Sequence, residues 1–198
     1  MMSTPPSGRT ARAPLALLIG FGVFVVVIAY LVTASLTRRA ARTFSPTVRT
    51  EARGPGRPGR PDTVTVDARD ADRWVYVDLD RGMPLGTVDS TGWDIAVRRY
   101  RIRARGPSAV VARAPFPDTD SAGLALASAH GLTQAPDLGH WYSYSMLSHL
   151  LEPDDRLALL RTDAGATAVL QVLGYYCPGL TAGCLTVRYA VVSPNVSP

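Results

Sequence analysis

The sequence contains no lysine: its 21 basic residues are all arginine, and that bias by itself points to no function. Cysteine is almost as scarce, with only Cys177 and Cys184 present. A structural zinc site is a poor reading of the pair, because two further ligands at suitable spacing are missing. There is no glycine-rich nucleotide loop, no His-Glu-x-x-His string and no Gly-x-Ser-x-Gly string. These gaps remove the usual sequence signals of nucleotide binding, zinc peptidases and serine hydrolases. Asp118, Asp120, Asp154 and Asp155 are acid-rich neighbours, but their spacing is not that of a calcium-binding loop. There is no internal repeat and no long amphipathic helix, so the fold expected is mainly β, and no enzymatic activity is expected.

Charge is distributed unevenly. Residues 1–60 carry nine Arg and one acid, Glu51, a balance of +8, whereas residues 61–198 carry twelve Arg against fifteen acids, a balance of −3. The high pI thus belongs to the N-terminal third, where the arginines flank an apolar run. A nucleic-acid partner is not expected on that charge alone.

From Ala13 to Thr37 no residue is charged, and Leu15 to Val32 is continuously apolar. A bilayer core of ~30 Å needs about 20 such residues in a helix, and the run is long enough. Val32-Thr-Ala-Ser-Leu-Thr37 offers no small-x-small cleavage site, and no cysteine follows for lipid attachment. An uncleaved transmembrane anchor over 13–36 is expected, after a short tail over 1–12. Arg38, Arg39, Arg42, Arg49 and Arg53 follow the span while Arg9 and Arg12 precede it, which taken literally places the C-terminal part in the cytoplasm. The cysteines argue the other way. They bracket Pro178-Gly179-Leu180-Thr181-Ala182-Gly183, a turn between two apolar runs, where two thiols come within disulfide reach. A disulfide implies an oxidising compartment; the alternative is a pair of free buried thiols in a cytosolic domain.

Residues 37–64 are rich in Pro, Gly and Arg and read as a flexible basic linker. Residues 65–198 read as one antiparallel β domain. Trp74–Asp80 alternates, with Val75, Val77 and Leu79 on one face. Arg81–Gly86 reads as a turn. Trp93–Arg105 changes phase at Arg98-Arg99, which suggests a β-bulge or bend. Ser108–Arg113, Arg156–Arg161, Thr167–Tyr176 and Cys184–Val192 read as strands, the last two as a hairpin. Between them, Ser121–His130 is a short helical turn inside a stretch broken by Pro115, Pro117, Gly123, Gly131, Pro136 and Gly139.

Several strings in order carry a resemblance. They are Trp74-Val-Tyr-Val-Asp-Leu79, Gly92-Trp-Asp-Ile-Ala-Val97, Trp141-Tyr-Ser-Tyr144, His149-Leu-Leu-Glu-Pro153, Leu170-Gln-Val-Leu-Gly-Tyr-Tyr176 and Leu185-Thr-Val-Arg-Tyr189. The set resembles the HmuY family of exported bacterial haem-binding proteins over roughly residues 70–192. One departure is visible: Ala104-Arg-Gly-Pro-Ser108 stands where that family often has Asn-Gly-Gly. Trp93, Asp94, Tyr175 and Tyr176 are the structural motif residues of this likeness.

The resemblance implies a β-rich envelope domain, haem as cofactor, and two axial side chains, histidine or in some relatives methionine. Only His130, His140 and His149 are available, and His149 and His140 flank an aromatic stretch with Met146. They are the candidate ligands, with Met83 a further thioether; each is otherwise a packing or hydrogen-bonding residue. Trp93 is expected in the core, Asp94 as a partner to a neighbouring turn, and Arg98, Arg99, Arg101, Arg103 and Arg105 as a solvated basic edge. The partners implied are the membrane and haem, or an envelope protein where haem binding is absent; the domain is expected outside the cytoplasm.

Overall fold

The computed structural model describes residues 14–36, 41–48, 51–57, 60–86, 91–134, 138–139, 141–146 and 148–192. The chain forms two units, Met1–Ala40 and Ala41–Pro198. In the first, α1 runs Leu15–Leu36, 22 residues. The absence of charge and of proline lets it continue unbroken for about 33 Å, the thickness of a bilayer's hydrocarbon core. The flanking Arg12 and Arg38 lie outside the described residues.

The second unit is two stacked antiparallel sheets and a small hairpin. Strands β1 (Asp62–Asp67), β2 (Val75–Asp78), β3 (Met83–Gly86), β4 (Ile95–Arg98), β5 (Arg101–Ala104) and β6 (Ser108–Val111) come first. Helix α2 (Asp120–His130) follows, then β7 (Tyr142–Ser145), β8 (Leu150–Pro153), β9 (Leu157–Arg161), β10 (Thr167–Tyr176) and β11 (Ala182–Val192). The larger sheet has the order β1-β11-β10-β9-β6, the smaller β3-β2-β4-β5, and β7 pairs with β8. The fold is mainly antiparallel β, as the alternation predicts.

The main core lies between the sheets. Val75, Val77 and Leu79 meet Leu185, Val187, Tyr189 and Val191 there, together with Ile95, Val97, Leu170 and Trp141. These are the inward positions of period-two strands, and each fully buried aliphatic contributes roughly 1.5–3 kcal/mol. A smaller cluster on the far face of the large sheet holds Val111, Leu157, Leu159 and Val169 against Leu126 and Phe116. Helix α2 covers it. Thr119 caps the helix by accepting from the Ala122 N–H at 3.2 Å, and the Gly131 N–H closes it on the Ala127 carbonyl at 3.0 Å. Gly123 lets the helix approach, because a Cβ there would lie 2.6 Å from Val192.

Three local expectations change. Of the two expectations at Arg98-Arg99, bulge or bend, the structure has the bend, sharpened to a hairpin turn: Arg98 pairs with Arg101 across a two-residue loop. Arg99 takes φ 52° without being glycine or asparagine. Its N–H donates to the Ala68 carbonyl at 3.1 Å and its guanidinium to the Arg69 carbonyl at 3.1 Å, which hold that unusual conformation. Met83–Gly86 is an edge strand on β2 rather than only a turn. Leu150–Pro153 likewise forms β8, a strand that the alternation did not bring out.

The segment before β1 also differs from a free spacer. The Phe44 N–H donates to the Tyr176 carbonyl at 2.8 Å, Thr47 to Thr65 at 2.8 Å and Arg53 to Arg81 at 3.1 Å. The Val191 N–H donates to the Gly56 carbonyl at 2.7 Å. The structured unit thus reaches back to Ala41, ahead of the expected start at 65. Gly174 is what admits the strap, since a Cβ there would sit 2.6 Å from the Phe44 ring. Gly174→Val is expected to expel that ring and cost about 1–3 kcal/mol. Trypsin should then cut at Arg42 or Arg53 faster than in the wild type; unchanged cleavage and melting would contradict the docking.

Cys177 and Cys184 form a disulfide across the β10–β11 turn, with Cα atoms 4.9 Å apart. Closing this short loop stabilises by about 2.5 kcal/mol in the chain-entropy model. Reduction should therefore lower the melting temperature of residues 41–198 by several degrees, at about 2–4 °C per kcal/mol for a domain of this size. A melting temperature insensitive to reductant would contradict it.

Candidate functional site

Hairpin β7–β8 carries the histidine that the sequence singles out. Tyr144 pairs with Leu151 and Ser145 with Leu150, so Met146, Ser148 and His149 lie at its tip. The base is fixed from below. Trp141, only 5% exposed, donates through its indole N–H to the Tyr100 carbonyl at 2.7 Å. The Leu151 N–H donates to the Tyr176 hydroxyl at 2.8 Å. An aromatic chain continues the attachment, with Tyr100 and Tyr142 centroids 5.8 Å apart, Trp141 and Tyr175 5.9 Å, and Tyr175 and Tyr176 5.4 Å. Such edge and tilted contacts add specificity beyond area burial. Burial also pushes the Tyr175 phenol above its ordinary pKa.

The tip itself is open. Met146 is 75% exposed and His149 is exposed. His149 adopts φ 55°, and its N–H donates to the Ser145 carbonyl at 2.8 Å. Its Nδ1 shares a hydrogen bond of 2.6 Å with the Tyr144 hydroxyl. That bond fixes the ring's orientation through Nδ1 and leaves Nε2 outside it. The sequence brought out His149 and Met146 but not Tyr144 as a partner; the signal was a Tyr five residues before a His around an unrecognised hairpin tip.

The other candidates fall elsewhere. His140 lies outside the described residues. His130 ends α2, with Nδ1 3.0 Å from the Leu126 carbonyl, and α2 packs on the far face of the large sheet. Met83 lies on the edge strand β3. Beside Trp141 the apolar interior leaves a cavity of about 20 Å³, lined by Ile102, Leu138, Leu170 and Val187 among others. It is of water size, far below a porphyrin. A wider open hollow of about 630 Å³ is lined by Asp67, Arg69, Asp70, Val75 and Gly86, with no histidine or methionine.

Asp94 is not a surface acid. It is fully buried, and its two carboxylate oxygens accept from the Leu79 N–H and the Asp163 N–H, each at 2.6 Å. It thereby ties the β2–β3 turn to the β9–β10 turn across the two sheets. Burial pushes its pKa up to about 6, offset by these two N–H donors, with Asp80 and Asp78 adding repulsion. Asp80 is raised as well, chiefly by burial. Ligand oxygens of Asp78, Asp80 and Asp94 lie within 4.8 Å of one another. They are turned to protein donors: Asp78 accepts from the Arg81 N–H at 2.8 Å, and Asp80 bonds Thr162.

Trp93 is not in the core. It is half-buried on the outer face of the small sheet, 5.1 Å from Tyr76 between ring centroids. The arginines beside it are not merely a solvated edge either. The Arg103 guanidinium lies 4.2 Å from the Trp74 ring centre and 5.7 Å from that of Trp93.

No protein-family model matches the chain, and neither does any curated protein. Solved structures do match. One is a candidate lipoprotein of Bacteroides fragilis, 22% identical, covering 77% of this chain and 100% of its own, with a TM-score of 0.50. Another is a candidate HmuY-like haem-binding protein of Bacteroides vulgatus, 15% identical, covering 75% of this chain and 100% of its own, also with a TM-score of 0.50. At these identities the likeness is one of fold, and the fold is HmuY-like.

Proposed function

We propose that the chain is a membrane-anchored binding protein of the bacterial cell envelope, with its β domain outside the cytoplasm and haem as its ligand. The observation that carries the haem reading is the Tyr144–His149 bond at an exposed hairpin tip with a rigid base. An imidazole held through Nδ1 by a neighbour is what axial ligation through Nε2 needs. Met146 or His140 would supply the second axial position. The HmuY-like fold of the neighbour from Bacteroides vulgatus supports the same reading. For the anchor, the support is the length and composition of α1. The Bacteroides fragilis neighbour is named a lipoprotein, and here the apolar helix would take the place of a lipid. The disulfide favours the oxidising side of the membrane over the positive-inside reading.

The direct test adds hemin to residues 41–198, a fragment chosen because micelles around the full chain would dissolve hemin. A saturable Soret shift at one equivalent is expected. A second reading has its own observation: beside the hairpin, the described residues hold a cavity of only about 20 Å³. An envelope protein-interaction module with this fold needs no larger one. Absence of any Soret shift would discard haem and leave that module. Orientation is tested separately, by thiol labelling in intact cells with and without reductant. Cys177 and Cys184 should label from outside only after reduction; labelling that requires cell lysis would overturn export.

A further inference from the structure

On the outer face of the small sheet, aromatic and cationic side chains alternate. The contacts run Arg98–Trp74 at 4.7 Å, Trp74–Arg103 at 4.2 Å, Arg103–Trp93 at 5.7 Å and Trp93–Arg105 at 5.8 Å. The strand pairing builds this stack: Ala96 lies opposite Arg103 and Arg98 opposite Arg101, which puts Arg98 and Arg103 on neighbouring strands of one face. Only one end is neutralised, where Arg105 pairs with Asp163 at 2.8 Å. Arg98 and Arg103 have no carboxylate partner among the described residues, although both are half-buried. The Arg103 Nε is buried with no hydrogen-bond partner. Two guanidiniums are thus held at most 8.9 Å apart by one indole, since they contact the same ring. Stacking satisfies the faces of a guanidinium but none of its N–H donors, which lie in its plane.

We infer that the Arg98–Trp74–Arg103 stack is a docking surface for a linear phosphate-bearing polyanion. Charge complementarity selects the ligand, because guanidinium edges fixed in place match tetrahedral oxyanions and lose little entropy on binding. The Trp74 ring is already engaged by two cations, so base or sugar stacking on it, the usual aid to single-stranded nucleic acid, has little room. A membrane surface is disfavoured as well, since headgroup contact calls for projecting, fully exposed basic residues, and these two are half-buried in the sheet face.

The test uses the full chain in neutral-detergent micelles, titrated with inorganic tripolyphosphate and read by tryptophan fluorescence. A saturable change is expected, with affinity falling on the order of ten-fold between about 20 and about 200 mM salt. Arg98→Gln and Arg103→Gln should each weaken it about ten-fold. Arg113→Gln, an exposed arginine that follows β6 and lies outside the stack, should stay within about two-fold. Thermal melts accompany each variant; if Arg103→Gln unfolds, Arg98→Gln at the open end of the stack decides. No saturable response, an equal loss in Arg113→Gln, or a preference for phosphatidylglycerol vesicles that survives Arg98→Gln would each overturn the assignment.

Discussion

Replacing Asp94 by alanine is expected to cost about 3–5 kcal/mol, a large fraction of the stability of an ordinary domain. Its carboxylate is the acceptor for the N–H groups of Leu79 and Asp163, and Leu79 is itself fully buried. Removing one acceptor group from two donors strands both, at about 1–3 kcal/mol each, and leaves a small void. Against that stands relief of a buried charge, because Asp94 ionises only at about 6. The same shift makes a signed prediction. A carboxyl whose folded pKa is raised above its unfolded value, here from 3.8 to about 6, contributes stability fully below the unfolded value. That contribution is lost as pH rises through the folded value. Lowering the pH from 7 to 5 should therefore stabilise the wild type by roughly 1 kcal/mol from this residue alone. Asp80, also raised, acts in the same direction. Asp67 and Asp70, lowered by their local hydrogen bonds, act oppositely and only near and below their ordinary range. Urea unfolding at pH 5 and pH 7 measures this. The Asp94→Ala variant should lose most of the difference; an identical pH dependence in both proteins would contradict the brace.

The second large effect concerns His149. Because it sits at φ 55°, alanine would add backbone strain to the loss of the ring, so Asn is the cleaner substitution. His149→Asn is expected to weaken hemin binding about 100-fold, the loss of one axial ligand at roughly 3 kcal/mol. Tyr144→Phe keeps the ligand but frees the ring, and should cost roughly ten-fold, as is usual when a partner one bond removed from a metal is deleted. Equal affinity in Tyr144→Phe and wild type would mean that the 2.6 Å bond does not orient the imidazole.

What was legible in the sequence follows from how each element is held. The apolar run over 15–32 could only be a buried or membrane helix, and it is helical throughout. The β10–β11 hairpin was legible to within a residue or two, because its strands are long and one face of β11 is uniformly apolar. The β4–β5 turn was hidden because Arg99 and Tyr100 are not turn residues; backbone and guanidinium bonds to Ala68 and Arg69 impose the bend. The strap over 41–57 was hidden for a related reason. Apart from the Phe44 ring against Gly174 and the Thr47 hydroxyl, its ties to the domain are backbone hydrogen bonds, which any composition can make, so Pro, Gly and Arg disguised it as a spacer. For the candidate site, residue types alone brought out His149 and Met146. The Tyr144 partnership needed the hairpin register, and the Trp74–Arg103 stack needed the pairing of three strands.

The most direct measurement is a hemin titration of residues 41–198, run beside His149→Asn and Met146→Ala and read at the Soret band. A saturable shift at one equivalent in the wild type is predicted, with affinity reduced about 100-fold in His149→Asn. Wild-type and His149→Asn proteins giving the same Soret spectrum and the same affinity would contradict the assignment of haem to the hairpin tip.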